Sequence, residues 1–451
     1  MIVKYVLFDL VGTLVRFSAG TTGTFRAACQ SAQARADRTE ATCPAPQAGL
    51  LGLLRERGYK LGLVSDTALD PETARRAVEH LGLAECFDAL VFSNQVEAGQ
   101  PRTGLFRAAL EQLGADPGQA AYIGDSLEAD IQGAAAVGLK TIWLRPEAGR
   151  AGEVADGDIA DASVAALDEV PAILEGWLRQ EFQRAEDLRD HGLAQLELAY
   201  HEGFVHLEAA ESALAEAETI YRLAGATTPL IGLLSGRAAV ARARGGAEEL
   251  ARAAVWLADE VSLLLAAGRD DEALLARGEL SGVYWQLAVA DPAHCLDYLE
   301  LGIKLASSSL EAARKRELPQ VAAKCAINLA RLLAALANAD RAEAQEHRRS
   351  ARELARLTVE LARERDPEEA AAARLLEAEL ILAGTGPEAA NEAEGLLQQA
   401  EELIMGGQTG RYWLGQLYAT RARLAAVNGN VQEAEGFALQ AQRILDRFQD
   451  S

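Results

Sequence analysis

Val6-Leu7-Phe8-Asp9-Leu10-Val11-Gly12-Thr13-Leu14 decides the reading of the first part of this chain. An apolar run over residues 2–8, rich in β-branched and aromatic side chains, ends on a single carboxylate. This is the pattern of a buried strand that delivers Asp9 to its carboxyl end. Gly12-Thr13 follows at once, so the turn brings backbone N–H groups to a place where they hold an anion.

Two further stretches repeat the arrangement. Leu61-Gly62-Leu63-Val64 ends in Ser65 and Asp66, and Tyr122-Ile123-Gly124 ends in Asp125-Ser126, with Glu128 and Asp130 close behind. Short apolar runs at 60–64, 89–92, 121–123 and 141–144 alternate with helical patterns at 47–57, 71–81, 104–113 and 129–137. Alternation of this kind predicts an α/β domain with a Rossmann-like parallel sheet and crossover helices, with its ligands at the carboxyl ends of the strands. Asp9, Ser65, Asp125 and Asp130 then share one edge. Carboxylates gathered there suit Mg2+, a hard cation that prefers oxygen ligands.

Taken together, residues 1–176 resemble the haloacid dehalogenase (HAD) superfamily. The resemblance implies that Asp9 is a nucleophile forming an aspartyl-phosphate. It implies that Ser65, with Gly12 and Thr13, binds phosphate, and that Asp9, Asp125 and Asp130 bind the metal. The run Ala-Asp-Ala-Ser-Val-Ala-Ala-Leu-Asp-Glu-Val-Pro-Ala-Ile-Leu at 160–174 looks like the close of such a domain. Three departures from the family are visible. Val11 stands where its phosphatases carry a general-acid Asp, and a valine transfers no proton. Gln100 stands in the Lys position of the third motif, with Arg102 a cation at a different spacing. Residues 18–45 are too short and too polar for a helical cap, which predicts an open active face. Asp66 is a candidate substitute proton donor, and a solvated strand-end acid on the bland reading.

From about residue 178 the strand signal stops and Ala-, Leu-, Glu- and Arg-rich helix follows. Helical hairpins begin near Arg184, Thr228, Asp270, Pro319, Pro367 and Gly410. About six helix–turn–helix units over 182–451, stepping 42 to 49 residues, predict an all-α solenoid. The final unit has Gly415, Tyr418, Ala422, a Gly429-Asn430 turn, Ala434, Ala438 and Ala441, and resembles the tetratricopeptide repeat with longer helices. The segment 175–184 has no Gly/Pro/Ser-rich stretch, which predicts a continuous helical connection between the halves.

The 451 residues carry 44 Lys and Arg against 67 Asp and Glu, a formal net charge of −23 that both halves share. A field of that sign repels phosphate backbones, so no nucleic-acid partner is expected. Five cysteines, an odd number without any C-x-x-C, point to free thiols in a reducing compartment. The amino terminus runs straight into the first motif without a signal-peptide pattern, and no apolar stretch of about 20 residues is visible. A cytoplasmic protein without membrane contact is expected. His201 and His206 stand five apart, which divides them between helix faces and argues against zinc.

Two functions fit these observations. In the first, a degenerate HAD-like domain senses or scaffolds with Mg2+ and phosphate, and the solenoid grips a protein or peptide. In the second, an open-faced, Mg2+-dependent phosphohydrolase receives a macromolecular substrate from the solenoid.

Overall fold

A computed structural model describes residues 2–15, 45–67, 70–93, 103–145, 160–339, 342–362, 366–383, 387–406 and 411–445. The contacts divide the chain into two compact units, Met1–Gln183 and Arg184–Ser451.

The first unit is built on a six-stranded sheet whose pairings are all parallel. Its strands are β1 Tyr5–Phe8, β2 Lys60–Ser65, β3 Ala89–Phe92, β4 Ala120–Gly124, β5 Lys140–Leu144 and β6 Ala162–Val164, in the order β3-β2-β1-β4-β5-β6. Alternate residues of β1 serve different cores, as a two-residue period demands. Val6 and Phe8 join Leu51, Leu63, Ile123 and Ile142 on one face, while Leu7 joins Val64, Val91, Phe106 and Tyr122 on the other. Helices α1 Ala45–Glu56, α2 Pro71–His80 and α3 Thr103–Leu113 cover the sheet. The chain order reverses between β1 and β4, the switch point where open α/β sheets take ligands.

Two local features depart from the sequence expectation. β6 is an added edge strand of three residues, too short to show a period; the Asp161 carboxylate fastens it by accepting from Thr141 N and Oγ1 at 2.8 and 3.0 Å. The helix expected over 129–137 is instead a π-helical turn, Leu127–Gln132, running into a single α-turn, Gly133–Ala135. The turn widens around Asp130, whose carboxylate bonds back to the Ser126 N–H at 3.0 Å.

Twelve consecutive helices follow, packed in pairs as in a helical repeat solenoid. They are α4 Val170–Glu202, α5 Leu207–Ala224, α6 Thr227–Arg244, α7 Ala247–Ala266, α8 Asp270–Ala290, α9 Cys295–Lys315, α10 Pro319–Ala339, α11 Ala344–Ala362, α12 Pro367–Leu382, α13 Pro387–Gly406, α14 Arg411–Val427 and α15 Val431–Leu445. Five of the six expected hairpin starts fall within a residue of a helix start. The exception is the first: α4 begins at Val170, with Pro171 in its first turn, and runs unbroken past Arg184. In the last pair Gly429 has φ +74°, which an L side chain rarely adopts, and this closes the tight turn between α14 and α15.

Some buried charges of the helical unit are paired. Buried Arg237 binds Glu211 and Glu218 and lies 4.1 Å above the Trp256 ring. Contrary to expectation, one helix among the described residues, α10, has the length and apolarity of a membrane span. In this fold it carries Lys324 and Arg331 and buries Ala326, Ile327, Ala330 and Leu332 among its neighbours.

Candidate metal and phosphate site

The site begins with the pinning of Asp9. Its N–H donates to the Ile123 carbonyl of β4 at 2.9 Å, which fixes the residue at the switch point. The chain then closes a small loop. The Leu10 carbonyl accepts from Leu14 and Val15, Gly12 N–H donates to the Val15 carbonyl, and Val11 bridges Val15. Leu10 and Leu14 are fully buried, and they anchor this loop in the core. Gly12 has φ +96°, and a Cβ there would sit 2.6 Å from the Asp125 Cγ. The glycine is what allows the Asp125 carboxylate to lie against the first loop.

Asp125 and Asp130 are set from β4 and the turn behind it. The Asp125 carbonyl accepts from Trp143 Nε1 at 3.1 Å. Asp130 is buried, and its two oxygens accept from Tyr122 Oη at 3.1 Å and Ser126 N at 3.0 Å. Tyr122 in turn meets Phe106 edge-on, with ring centroids 4.7 Å apart. One carboxylate oxygen from each of Asp9, Asp125 and Asp130 lies within 4.8 Å of the other two. Oxygens on opposite sides of a Mg2+ ion stand roughly 4 Å apart, so the three donors fit one hard cation.

Ser65 ends β2 at the same sheet edge, is 1% exposed, and its hydroxyl has no hydrogen-bond partner among the described residues. A buried hydroxyl without a protein partner at the carboxyl end of a strand can donate to a ligand oxygen. The loop beyond it is held by Ser93, whose Oγ accepts from Thr67 N at 2.9 Å and donates to Thr67 O at 2.8 Å. Asp66 is exposed. Thr13 is buried with its hydroxyl also without a partner among the described residues, and it lines a cavity of about 260 Å³ with Gln47, Leu50 and Ala165–Asp168. Val11, two residues beyond Asp9, is partly exposed. Gln100, Arg102 and nearly all of the stretch expected to leave the face open, residues 18–45, lie outside the described residues.

Tyr122, Ser126, Ser93 and Trp143 are supporting residues that the motifs did not mark. Tyr122 and Ser126 stand inside quoted stretches, but their roles depend on partners across the turn. Trp143 reaches Asp125 from a different strand.

Residues 40–138 match the family model described as haloacid dehalogenase-like hydrolase. The chain is 36% identical over 97 residues to a phosphoserine phosphatase of Thermus thermophilus, covering 21% of this chain and 38% of that protein. It is 30% identical over 124 residues to the N-acylneuraminate-9-phosphatase of Rattus norvegicus, covering 27% and 49% respectively. The chain thus spans less than half the length of these curated relatives. A solved HAD phosphatase from Thermococcus onnurineus aligns at 24% identity with a TM-score of 0.29, over 38% of this chain and 97% of that one. The amino-terminal domain is HAD-like, and a long all-helical region follows it.

Proposed function

We propose that the amino-terminal domain binds Mg2+ and a phosphoryl group with little turnover, and that the helical unit carries a protein or peptide partner. The observation behind the first half is the contrast between what converges and what is absent. Three carboxylates and an unpartnered Ser65 hydroxyl supply a metal cradle and a phosphoryl contact. The position two residues after Asp9 holds Val11, which has no proton to give a leaving oxygen.

Asp9, Asp125 and Asp130 would hold the cation, which when bound neutralises charge on phosphoryl oxygens. Ser65 donates to one such oxygen. The chain's own groups therefore bind and orient. General acid assistance is typically worth about 10²–10⁴-fold, and its absence leaves an Asp9 attack without a protonated leaving group.

The second reading is a phosphohydrolase, as the named relatives are. The three acids and Ser65 favour it, since an idle site has no need of them. Turnover of 4-nitrophenyl phosphate with Mg2+, comparing wild type with Asp9→Asn, separates the two. Little or no turnover, with phosphate binding retained, supports the binding reading. Turnover of about 1 s⁻¹ or more that Asp9→Asn abolishes establishes the enzyme.

A further inference from the structure

The first helices of five successive pairs line one cavity of about 310 Å³ in the helical unit. Arg242 comes from α6, Trp285 from α8, Lys324 and Arg331 from α10, Glu369 from α12 and Trp413 from α14. That volume suits a small ligand or one end of a larger one.

The cations in it are not equivalent. Lys324 binds Glu279 at 3.1 Å and Glu369 at 2.5 Å, and Arg242 binds Glu279 at 2.8 Å. Arg331 makes no ion pair among the described residues; its hydrogen bond is to Asn328 Oδ1 at 3.2 Å. Asn328 is buried and is aimed by its own Nδ2, which donates to the Gly278 carbonyl of α8 at 2.9 Å. Burial pushes the Arg331 guanidinium below its ordinary pKa, and the pull of Glu369 in the other direction is smaller. Its centre lies 5.3 Å from the Trp285 ring centroid and 5.9 Å from that of Trp413.

A guanidinium is planar. Indoles engage its faces, and its edge presents N–H donors in a fork that matches a carboxylate. Here the indoles are in place and most of the fork has no acceptor among the described residues. One positive charge without an ion-pair partner calls for one negative charge. A dianion would also meet Glu369 and Glu379 in the same wall.

We propose that this cavity binds a carboxylate monoanion carrying a flat apolar group, with the carboxylate on the Arg331 fork and the apolar part between Trp285 and Trp413. The acid is either a free small molecule or the carboxyl end of a peptide. Only the peptide source rests on the helical unit's being the partner-binding part, and neither source depends on the Asp9 site.

The test uses the full chain, with calorimetry and tryptophan fluorescence as readouts. The probes are 3-phenylpropionate, 3-phenylpropionamide, phenyl phosphate, and Ala-Ala-Phe with a free or an amidated carboxyl terminus. Saturable millimolar or tighter binding of an acid is expected, with its amide at least about tenfold weaker. Arg331→Gln should weaken the acid by about tenfold or more, and Arg331→Lys, which keeps charge but loses the fork, by less. Binding of phenylpropionate alone assigns the small-molecule source, and binding of the free-carboxyl peptide assigns the other. No binding of either acid overturns the proposal, as do equal affinities for acid and amide in wild type, or phenyl phosphate binding as tightly as the acid. The acid–amide comparison in wild type needs no variant to fold. Failure here leaves partner capture by the helical unit to be judged separately.

Discussion

Replacing Ser65 by Ala should move stability and ligand affinity in opposite directions. The side chain is 1% exposed and its hydroxyl has neither a donor nor an acceptor among the described residues. An unsatisfied buried polar group costs about 1–3 kcal/mol. Alanine removes that cost and one small atom of packing, so a net gain of about 1 kcal/mol in the first unit is expected. For a unit of this size the gain is worth roughly 2–4 °C in melting temperature. A hydroxyl hydrogen bond to a charged oxygen contributes about 1.5–3 kcal/mol, so phosphate affinity should fall roughly 10- to 100-fold. Differential scanning calorimetry without ligand gives the first quantity, and titration with inorganic phosphate in Mg2+ gives the second. A variant that melts lower without ligand would show that the hydroxyl is satisfied in the folded protein. A variant that binds phosphate within twofold of wild type would remove Ser65 from the site.

Mg2+ should raise the melting temperature of wild type and of Asp66→Asn, but not of Asp125→Ala; equal shifts in all three would dissolve the triad as a metal site. Val11→Asp combined with Gln100→Lys should raise aryl phosphate turnover at least about tenfold, since an added general acid is typically worth about 10²-fold or more. A folded double mutant without gain would mean that the pocket lacks more than these two groups. Burial holds the Glu260 carboxyl above its ordinary pKa, and the Ser235 hydroxyl, 2.7 Å from each oxygen, offsets this only in part. The folded state therefore keeps that proton longer than the unfolded state does, and stability falls as pH rises from the ordinary glutamate value through the raised one. Glu260→Gln, which still accepts from Ser235, should be more stable than wild type at pH 7 by chemical denaturation and lose that part of the pH dependence; lower stability at pH 7 would reverse the sign of this argument.

The strands ending at Asp9, Ser65 and Asp125, and the starts of the later helical pairs, were legible in the sequence. Each is written in residues adjacent along the chain: an apolar run closed by an acid or a hydroxyl, or a helical period opened by a turn. The parallel sheet followed, because short strands separated by helices have few other ways to pair. Other features depended on groups distant in sequence. The π-turn answers to Tyr122 eight residues before Asp130, and Trp143 reaches the Asp125 carbonyl from 18 residues away. β6 exists because Asp161 meets Thr141 across 20 residues. The cavity of the helical unit is the extreme case. Asn328 finds Gly278 50 residues back, and Lys324 finds Glu369 45 residues ahead, close to one repeat in each direction. Hydrophobic period tells a helix which face to bury, but not which polar side chains of the next repeat will stand opposite. That choice falls to the packing of first helix on first helix, which leaves Arg331 between two indoles while Lys324 is paired.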